Sequence, residues 1–382
     1  MAVEIPKDLV AQMTTWRQHL HRHPEFGFEE HQTAAFVAEE LRGFGFDEVT
    51  TGVGGTGVVG TLRAGTGNRA IGFRADMDAL RIEEQGARPY RSQAPGVMHA
   101  CGHDGHTAML LGAAKHLAEH RNFNGTIRFI FQPAEEWGQG MQAMLDDGLL
   151  TRFPMEEAYG LHNMPGMEVG SFATRPGAIM AAEDNFEIEI TGSGGHASQP
   201  HVTSDALLAG CATVTALQSI VSRGTDPAEL AVVSATEIRT DGTVNAIASN
   251  ARILGDCRSF SPEISKSIET AMERIVAGTA AAHGCAAKLS YKRVFVPTIN
   301  DPEMTQHAIA TARALGPTDA NTAPMGGSED FARLTAQIPG NFIFIGNGDS
   351  AALHHPSYDF NDAALPHGAG YFARLARRRL PE

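Results

Sequence analysis

The stretch MHACGHDGHTAML, residues 98–110, sets Cys101 and His103 two positions apart, with Asp104 and His106 just behind them. In an extended segment, side chains at i and i+2 share a face, so a thiolate and an imidazole here can reach one common partner. Gly102 between them admits unusual backbone angles and adds no bulk. Met109, Leu110, Ala113 and Leu117 then recur at helical spacing, which predicts a helix beginning just after the pair. Asp104 stands where it can cap that helix, and the helix dipole there favours an anionic sulfur. Sulfur with imidazole suits zinc and similar transition metals better than magnesium or calcium. The same residues also suit a nucleophilic cysteine with His103 or His106 as its base, or a polar loop ahead of a helix. Spacing alone leaves the three readings open.

Further ionisable residues stand at the ends of apolar runs. In FQPAEEWGQG, Glu135 and Glu136 are adjacent without a basic neighbour. Two such carboxylates repel each other unless something positive lies near, and a metal pair would serve. Adjacent side chains point in different directions, so one glutamate could ligate while the other handles a proton. The plainer reading is an acidic helix start. His162 follows the apolar AYGL, and His354 and His355 lie in LHHPSYDFND. Asp76 and Asp78 in RADMDAL flank one residue, an arrangement able to hold a ligand histidine by its other ring nitrogen. His19 and His23 are four apart, as in a zincin helix, but Leu20 stands where the glutamate would be and Pro24 closes the helix. That pair reads as structure or surface. Together the other clusters supply one thiolate, several imidazoles and two carboxylates, enough for two metal ions.

These residues need a scaffold. Leu9, Met13, Trp16 and Leu20 predict a first helix stopped by Pro24, and HQTAAFVAEELRGFGF a second one closed near Gly43. The runs RAIGFRADMDAL (69–80), GTIRFIFQPAEE (125–136), EAYGLHNM (157–164) and GNFIFIGNG (340–348) are nearly unbroken apolar strands followed at once by polar residues. Strands of this kind suit a mostly parallel central sheet covered by helices on both faces, with its ligand crevice at the strand ends. Between 184 and 294 the texture changes. NFEIEITGSGGHAS alternates apolar with polar residues, and two helical stretches separate further alternating strands. The expectation is an α/β catalytic domain made of residues 1–183 and 295–382, with an inserted α+β domain at 184–294.

Composition bounds the rest. The chain has 382 residues, 42% of them hydrophobic and 19% charged, which suits two globular domains. A net charge of −14 and a pI near 5.6 argue against nucleic-acid phosphates as partners. The first residues lack the pattern of a secretory leader, and no uncharged apolar run is expected to approach the length that spans a bilayer. Cys101, Cys211, Cys257 and Cys285 follow no framework spacing. A cytoplasmic protein with free thiols and no membrane partner is expected.

RADMDAL, MHACGHDGHTAMLLGAA, GTIRFIFQPAEE, YGLHNMPGMEVG, GGHAS, GGSEDF and LHHPSYDFND, in this order along nearly the whole chain, resemble the amidohydrolase branch of the dinuclear metallopeptidases. That branch holds hippurate hydrolases, N-acyl-amino-acid aminoacylases and auxin–amino-acid conjugate hydrolases. The resemblance implies two divalent ions per subunit, Zn, Mn, Co or Ni, held by Cys101, His103, Glu136, His162 and His354. His354 directly follows the leucine, as the family ligand does, while His355 takes a position that is often Ser or Asn. Glu135 would be the general acid/base, with Asp76, Asp78 and His106 supporting the ligands from behind. The inserted domain would be a lid that also forms a homodimer. Its His196 would polarise the scissile carbonyl, and Asn245 and Arg258 would hold the substrate. The implied reaction is hydrolysis of a small N-acyl-L-amino acid to a carboxylic acid and a free amino acid by metal-activated water. Cysteine in the place of a bridging aspartate favours N-acyl amino acids over longer peptides. The rivals are a dipeptidase or carboxypeptidase of the same family, a cysteine hydrolase working without metal, and a binding protein on the same scaffold that has lost catalysis. Retention of Glu135 argues against the last.

Overall fold

The computed structural model describes residues 5–382. Residues 1–4, part of the stretch read for a leader, lie outside the described residues. The chain divides into two compact units. One takes the chain up to Ile179 together with Thr298–Ala323 and Glu329–Glu382; the other takes Met180–Pro297 and Pro324–Ser328. The boundaries expected from texture stood at 183/184 and 294/295. The short Pro324–Ser328 segment was not foreseen, because its partners in the second unit are far away in sequence.

The larger unit is built on an eight-stranded sheet. The four apolar runs of the sequence become its centre. Gly125–Gln132, Ala70–Asp76, Glu157–Pro165 and Gly340–Gly348 lie side by side and parallel. Antiparallel strands Glu48–Val53 and Gly57–Ala64 extend one edge. The other edge carries two short strands, Phe172–Ala173 and Thr318–Asp319. All seven residues of Ala70–Asp76 are buried, as a strand covered on both faces requires. Its neighbours show the two coverings. Phe73 packs against Phe372 of the helix Leu365–Arg379, with ring centroids 5.1 Å apart, whereas Arg74 lies under the Phe331 ring, 5.9 Å from its centroid. Helices Lys7–Arg22, His103–His120 and Leu365–Arg379 pack on one another, and Leu9, Met13, Trp16 and Leu20 form the buried stripe of the first. That helix ends at Arg22, before Pro24. In the second helix, His31–Gly43, the left-handed glycine is Gly45 (φ 78°), and Gly43 is only the last helical residue.

The smaller unit is an antiparallel sheet of four strands in the order Ala231–Thr240, Asn250–Ser259, Ala182–Thr191, Ala286–Phe295. Helices Ala206–Gly224 and Pro262–Ala282 cover one face. Both are capped by side chains: Asp205 accepts from Leu208 N at 3.0 Å, and Ser261 from Ile264 N at 3.1 Å. Ile188, Ile190, Leu217, Ile220, Ile253, Ile268 and Met272 fill the core between the layers. The opposite face is a ladder of charges, with Glu189 opposite Arg252 and Lys288, and Arg252 opposite Arg239. The expectation about spanning length fails at Ala206–Gly224. This 19-residue helix, with mean hydropathy 1.3, is long and apolar enough to cross a membrane. Its apolarity covers the sheet through Ala209, Leu217 and Ile220, and also leaves Leu207 and Leu208 exposed.

Candidate metal centre

Three of the four central strands deliver residues to one place. Cys101 ends the loop before the helix His103–His120, and His103 is the first residue of that helix. Gly102 between them has φ 94°, and a Cβ there would stand 2.2 Å from Asn163 Oδ1 and 2.6 Å from Tyr358 Oη. Only glycine fits, on both counts. Asp104 does not cap the helix as expected. It points away, and its Oδ2 lies 2.8 Å from His21 Nδ1 on the first helix. The buried charge of Asp104 is answered there and not by a backbone N–H.

Glu135 and Glu136 open a single 3₁₀ turn, Glu135–Trp137. The turn is forced by Ala134, a non-glycine residue at φ 46°, which Glu30 Oε1 anchors by accepting from its N–H at 2.8 Å. The two glutamates diverge. Glu136 Oε1 lies 3.2 Å from His354 Nε2 and 3.9 Å from His103 Nε2. Glu135 Oε1 instead accepts from the backbone N–H of Asp330 at 3.3 Å. His162, inside its strand, places Nε2 3.3 Å from Cys101 Sγ. His354 arrives from a loop at φ 64°, tied by its N–H to Ala100 O at 2.8 Å. The neighbouring His355 turns its Nδ1 to accept from Ser357 N at 3.1 Å.

The ligand atoms of Cys101, His103 and His162 lie within 4.8 Å of one another, as do those of Cys101, Glu136 and His354, and of His103, Glu135 and Glu136. Overlapping groups that share Cys101, His103 and Glu136 can hold two ions. The donor set fits a divalent transition metal in a further respect: His103 Nε2 is buried without a hydrogen-bond partner among the described residues, its nearest carboxylate oxygens standing 3.8 and 3.9 Å away. Buried polar atoms are rarely left so in a native protein. Behind the ligands, His103 Nδ1 lies 3.1 Å from Asp78 Oδ1, and Asp78 Oδ2 accepts from Glu136 N at 3.1 Å. Asp76 Oδ1 lies 2.6 Å from His106 Nδ1, and His106 Nε2 meets Asn163. Both nitrogens of His106 are thereby engaged.

The electrostatics call for positive charge. Burial raises the Cys101 thiol far above its usual range, and Glu136, Glu135 and Asp76 push it further. Burial would depress His103, but Asp76, Asp78 and Glu136 hold its imidazolium up at about 10. Burial, reinforced by His106, keeps His162 neutral and therefore free to ligate. Burial and then Glu329, Glu136 and Asp330 drive Glu135 well above the carboxylate range. Asp330 is carried up to about 7 by burial in spite of Arg74.

Sequence reasoning assigned nothing to Arg74, Asn163, Glu329, Asp330 or Tyr358, all buried here. Arg74 had a signal: an obligate cation inside the otherwise apolar AIGFRA. Its guanidinium binds Gln132, Asp76, Glu329 and Asp330 at 2.7–3.2 Å. The strand Gly340–Gly348 lies in the sheet as expected but supplies none of the candidate ligands.

In the smaller unit, His196 and Asn245 come together on one two-stranded ribbon: His196 pairs with Ala246, and Ala197 N donates to Asn245 O at 3.0 Å. His196 Nδ1 accepts from Ser198 N at 3.1 Å, and its ring is exposed. Arg258 sits elsewhere in that unit. Its guanidinium is bound by Glu183 at 2.8 Å, Asp256 at 2.9 Å and Ser328 Oγ at 2.9 Å.

Comparison with known proteins places these motifs in context. Residues 72–378 match the model of peptidase family M20/M25/M40. The chain is 40% identical to a hippurate hydrolase of Campylobacter jejuni over 98% of both chains. It is 36% identical to an N-acetylcysteine deacetylase of Bacillus subtilis over 94% of both. Among solved structures, the YXEP protein of Bacillus subtilis, a dinuclear metal-binding peptidase of the M20 family, superposes with a TM-score of 0.87. It is 33% identical, with 98% of this chain and 99% of that one covered.

Proposed function

The chain belongs to peptidase family M20/M25/M40 and is a metal-dependent amidohydrolase, and on that premise we propose that it hydrolyses the amide bond of N-acyl-L-amino acids. The observation that carries the reading is the divergence of Glu135 and Glu136 from one turn, Glu136 toward Cys101 and His354, Glu135 beside them and buried. Two relatives whose names give an acylated amino acid as substrate support the substrate class.

In this reading Cys101, His103, Glu136, His162 and His354 hold two divalent ions, with Zn, Mn, Co and Ni all compatible with the donors. When bound, such ions would supply acidification of water and polarisation of the amide carbonyl. Glu135 takes the proton of the attacking water and returns it to the departing amine nitrogen. A carboxyl whose affinity for protons is raised by its surroundings suits both halves of that task. Asp78 orients the His103 ring, and Asp76 orients His106. His196 is assigned to the carbonyl oxygen, and Asn245 and Arg258 to the amino-acid carboxylate. Arg258 would have to exchange an internal carboxylate for that of the substrate.

The elevated Cys101 thiol counts against a cysteine nucleophile, which needs a depressed pKa. Self-association is assigned to the smaller unit, whose edge strand exposes Val232 and Ile238 and which also exposes Leu208 and Val244. Sedimentation of a Val232→Glu, Ile238→Glu double variant tests it, a monomer being the expected result. Four unbridged cysteines support a cytoplasmic setting.

The deciding experiment is a panel of N-acetyl, N-benzoyl and longer N-acyl amino acids beside dipeptides, run on chelated protein with each metal restored. Restored hydrolysis of acyl amino acids in preference to dipeptides is expected. Preference for dipeptides replaces the substrate class, and activity that survives chelation removes the metal mechanism.

A further inference from the structure

Glu135 is 6% exposed, and its Oε1 accepts from the backbone N–H of Asp330 at 3.3 Å. Around it stand the carboxyl groups of Glu329 and Asp330, with ligand-type oxygens of all three within 4.8 Å. Like charges would push the Glu135 side chain out of line unless its position were fixed from outside. The fixing is elaborate. Asp330 Oδ1 accepts from Gln132 Nε2 at 2.6 Å and from Arg74 Nη2 at 3.2 Å, while Oδ2 accepts from Met141 N at 2.9 Å. Glu329, just before it, accepts from Arg74 Nη2 at 2.8 Å and from Phe331 N at 2.9 Å. The backbone N–H that meets Glu135 is therefore immobilised from both sides. Arg74 carries the same frame to the metal side, since its Nη1 donates to Asp76 Oδ2 at 2.7 Å.

We propose that Asp330 is a positioning residue for the general base: its side chain, bound at three points, holds its own N–H against Glu135 Oε1 and so aligns the carboxylate in one frame with the metal ligands. The inference rests on Glu135 being the base. Misplacement of a reacting group by about 1 Å costs on the order of a hundredfold in rate. A brace of this kind acts on the chemical step, not on substrate affinity or metal affinity.

The test compares Asp330→Ala, Asp330→Asn and Glu135→Gln in the metal-loaded full chain, with kcat, KM and bound metal measured for each. Asp330→Ala should lower kcat about 10- to 100-fold, with KM within about threefold and metal content unchanged. Asp330→Asn, which keeps one acceptor oxygen, should fall between it and the parent. If Asp330→Ala does not fold, Gln132→Met removes one of the three holds, and a smaller loss of kcat at constant KM is expected. The brace is overturned if kcat per metal-loaded molecule is unchanged in these variants, or if it falls only together with metal content. Should Glu135→Gln turn over at the parent rate, the base assignment fails and takes the brace with it. A dead Glu135→Gln beside an unimpaired Asp330→Ala refutes the brace alone.

Discussion

Two regions of this protein are dense in charge, and they are built on opposite principles. Around Arg74, the carboxylates of Asp76, Glu329 and Asp330 share one guanidinium with every partner buried, and Glu135 lies beside them. On the open face of the smaller sheet, Glu187, Arg252, Glu189 and Lys288 alternate in sign and stay in water. Desolvation makes an unanswered charge expensive in the first region and nearly free in the second. An excess of buried negative charge persists only where something repays it, and that excess lies against the candidate ligands. The balanced ladder needs no such explanation: it keeps one side of a sheet wet.

Four measurements would break or sharpen the contrast. The largest effect belongs to Glu135→Gln, expected to lower turnover by about three orders of magnitude while metal content stays constant. Retained turnover would move the excess charge out of catalysis. Next is Arg74→Met, which strands three buried carboxylates. Urea unfolding should show a loss of roughly 3–5 kcal/mol, and an unshifted midpoint would mean the acids are protonated and indifferent to it. Third, a smaller buried cluster tests the same logic through pH. His21 sits fully buried between Asp104 and Glu84, which hold it up at about 9 against the cost of burial. A group with a raised folded pKa stabilises fully below its unfolded value near 6.5. That stabilisation, on the order of 3 kcal/mol, should drain away as pH climbs toward 9. His21→Phe should flatten that slope; a slope that persists would place the titration elsewhere. Smallest is Arg252→Met on the ladder, for which neither unfolding midpoint nor activity should move. A marked change there would give the open face a role that its exposure does not suggest.

The sequence made the parallel centre legible because strands buried on both faces cannot alternate, so four apolar runs stood out unaided. The candidate ligand set was readable for a different reason. Thiolate, imidazole and paired carboxylates at strand ends are costly choices, and Cys-Gly-His next to Pro-Ala-Glu-Glu resembled a known family. What stayed hidden was the support. Asp330 acts through a backbone N–H and Tyr358 by closing the space beside Gly102, and neither leaves a spacing in the chain. Asp104 was misread because its partner, His21, is 83 residues away. Helix-cap preferences describe neighbours, and this bond is long-range. The helix Ala206–Gly224 was misjudged since its serines, threonines and glutamine look polar one by one but leave the average apolar.

The membership of Pro324–Ser328 in the smaller unit bears on how that unit can be produced on its own. Ala181 N donates to Gly327 O at 2.9 Å, and Arg258 holds Ser328 Oγ. A fragment cut at 180 and 297 would omit both of those partners, so a faithful excision must splice in five residues from farther down the chain. The gene, read from end to end, does not carry this unit as one contiguous cassette.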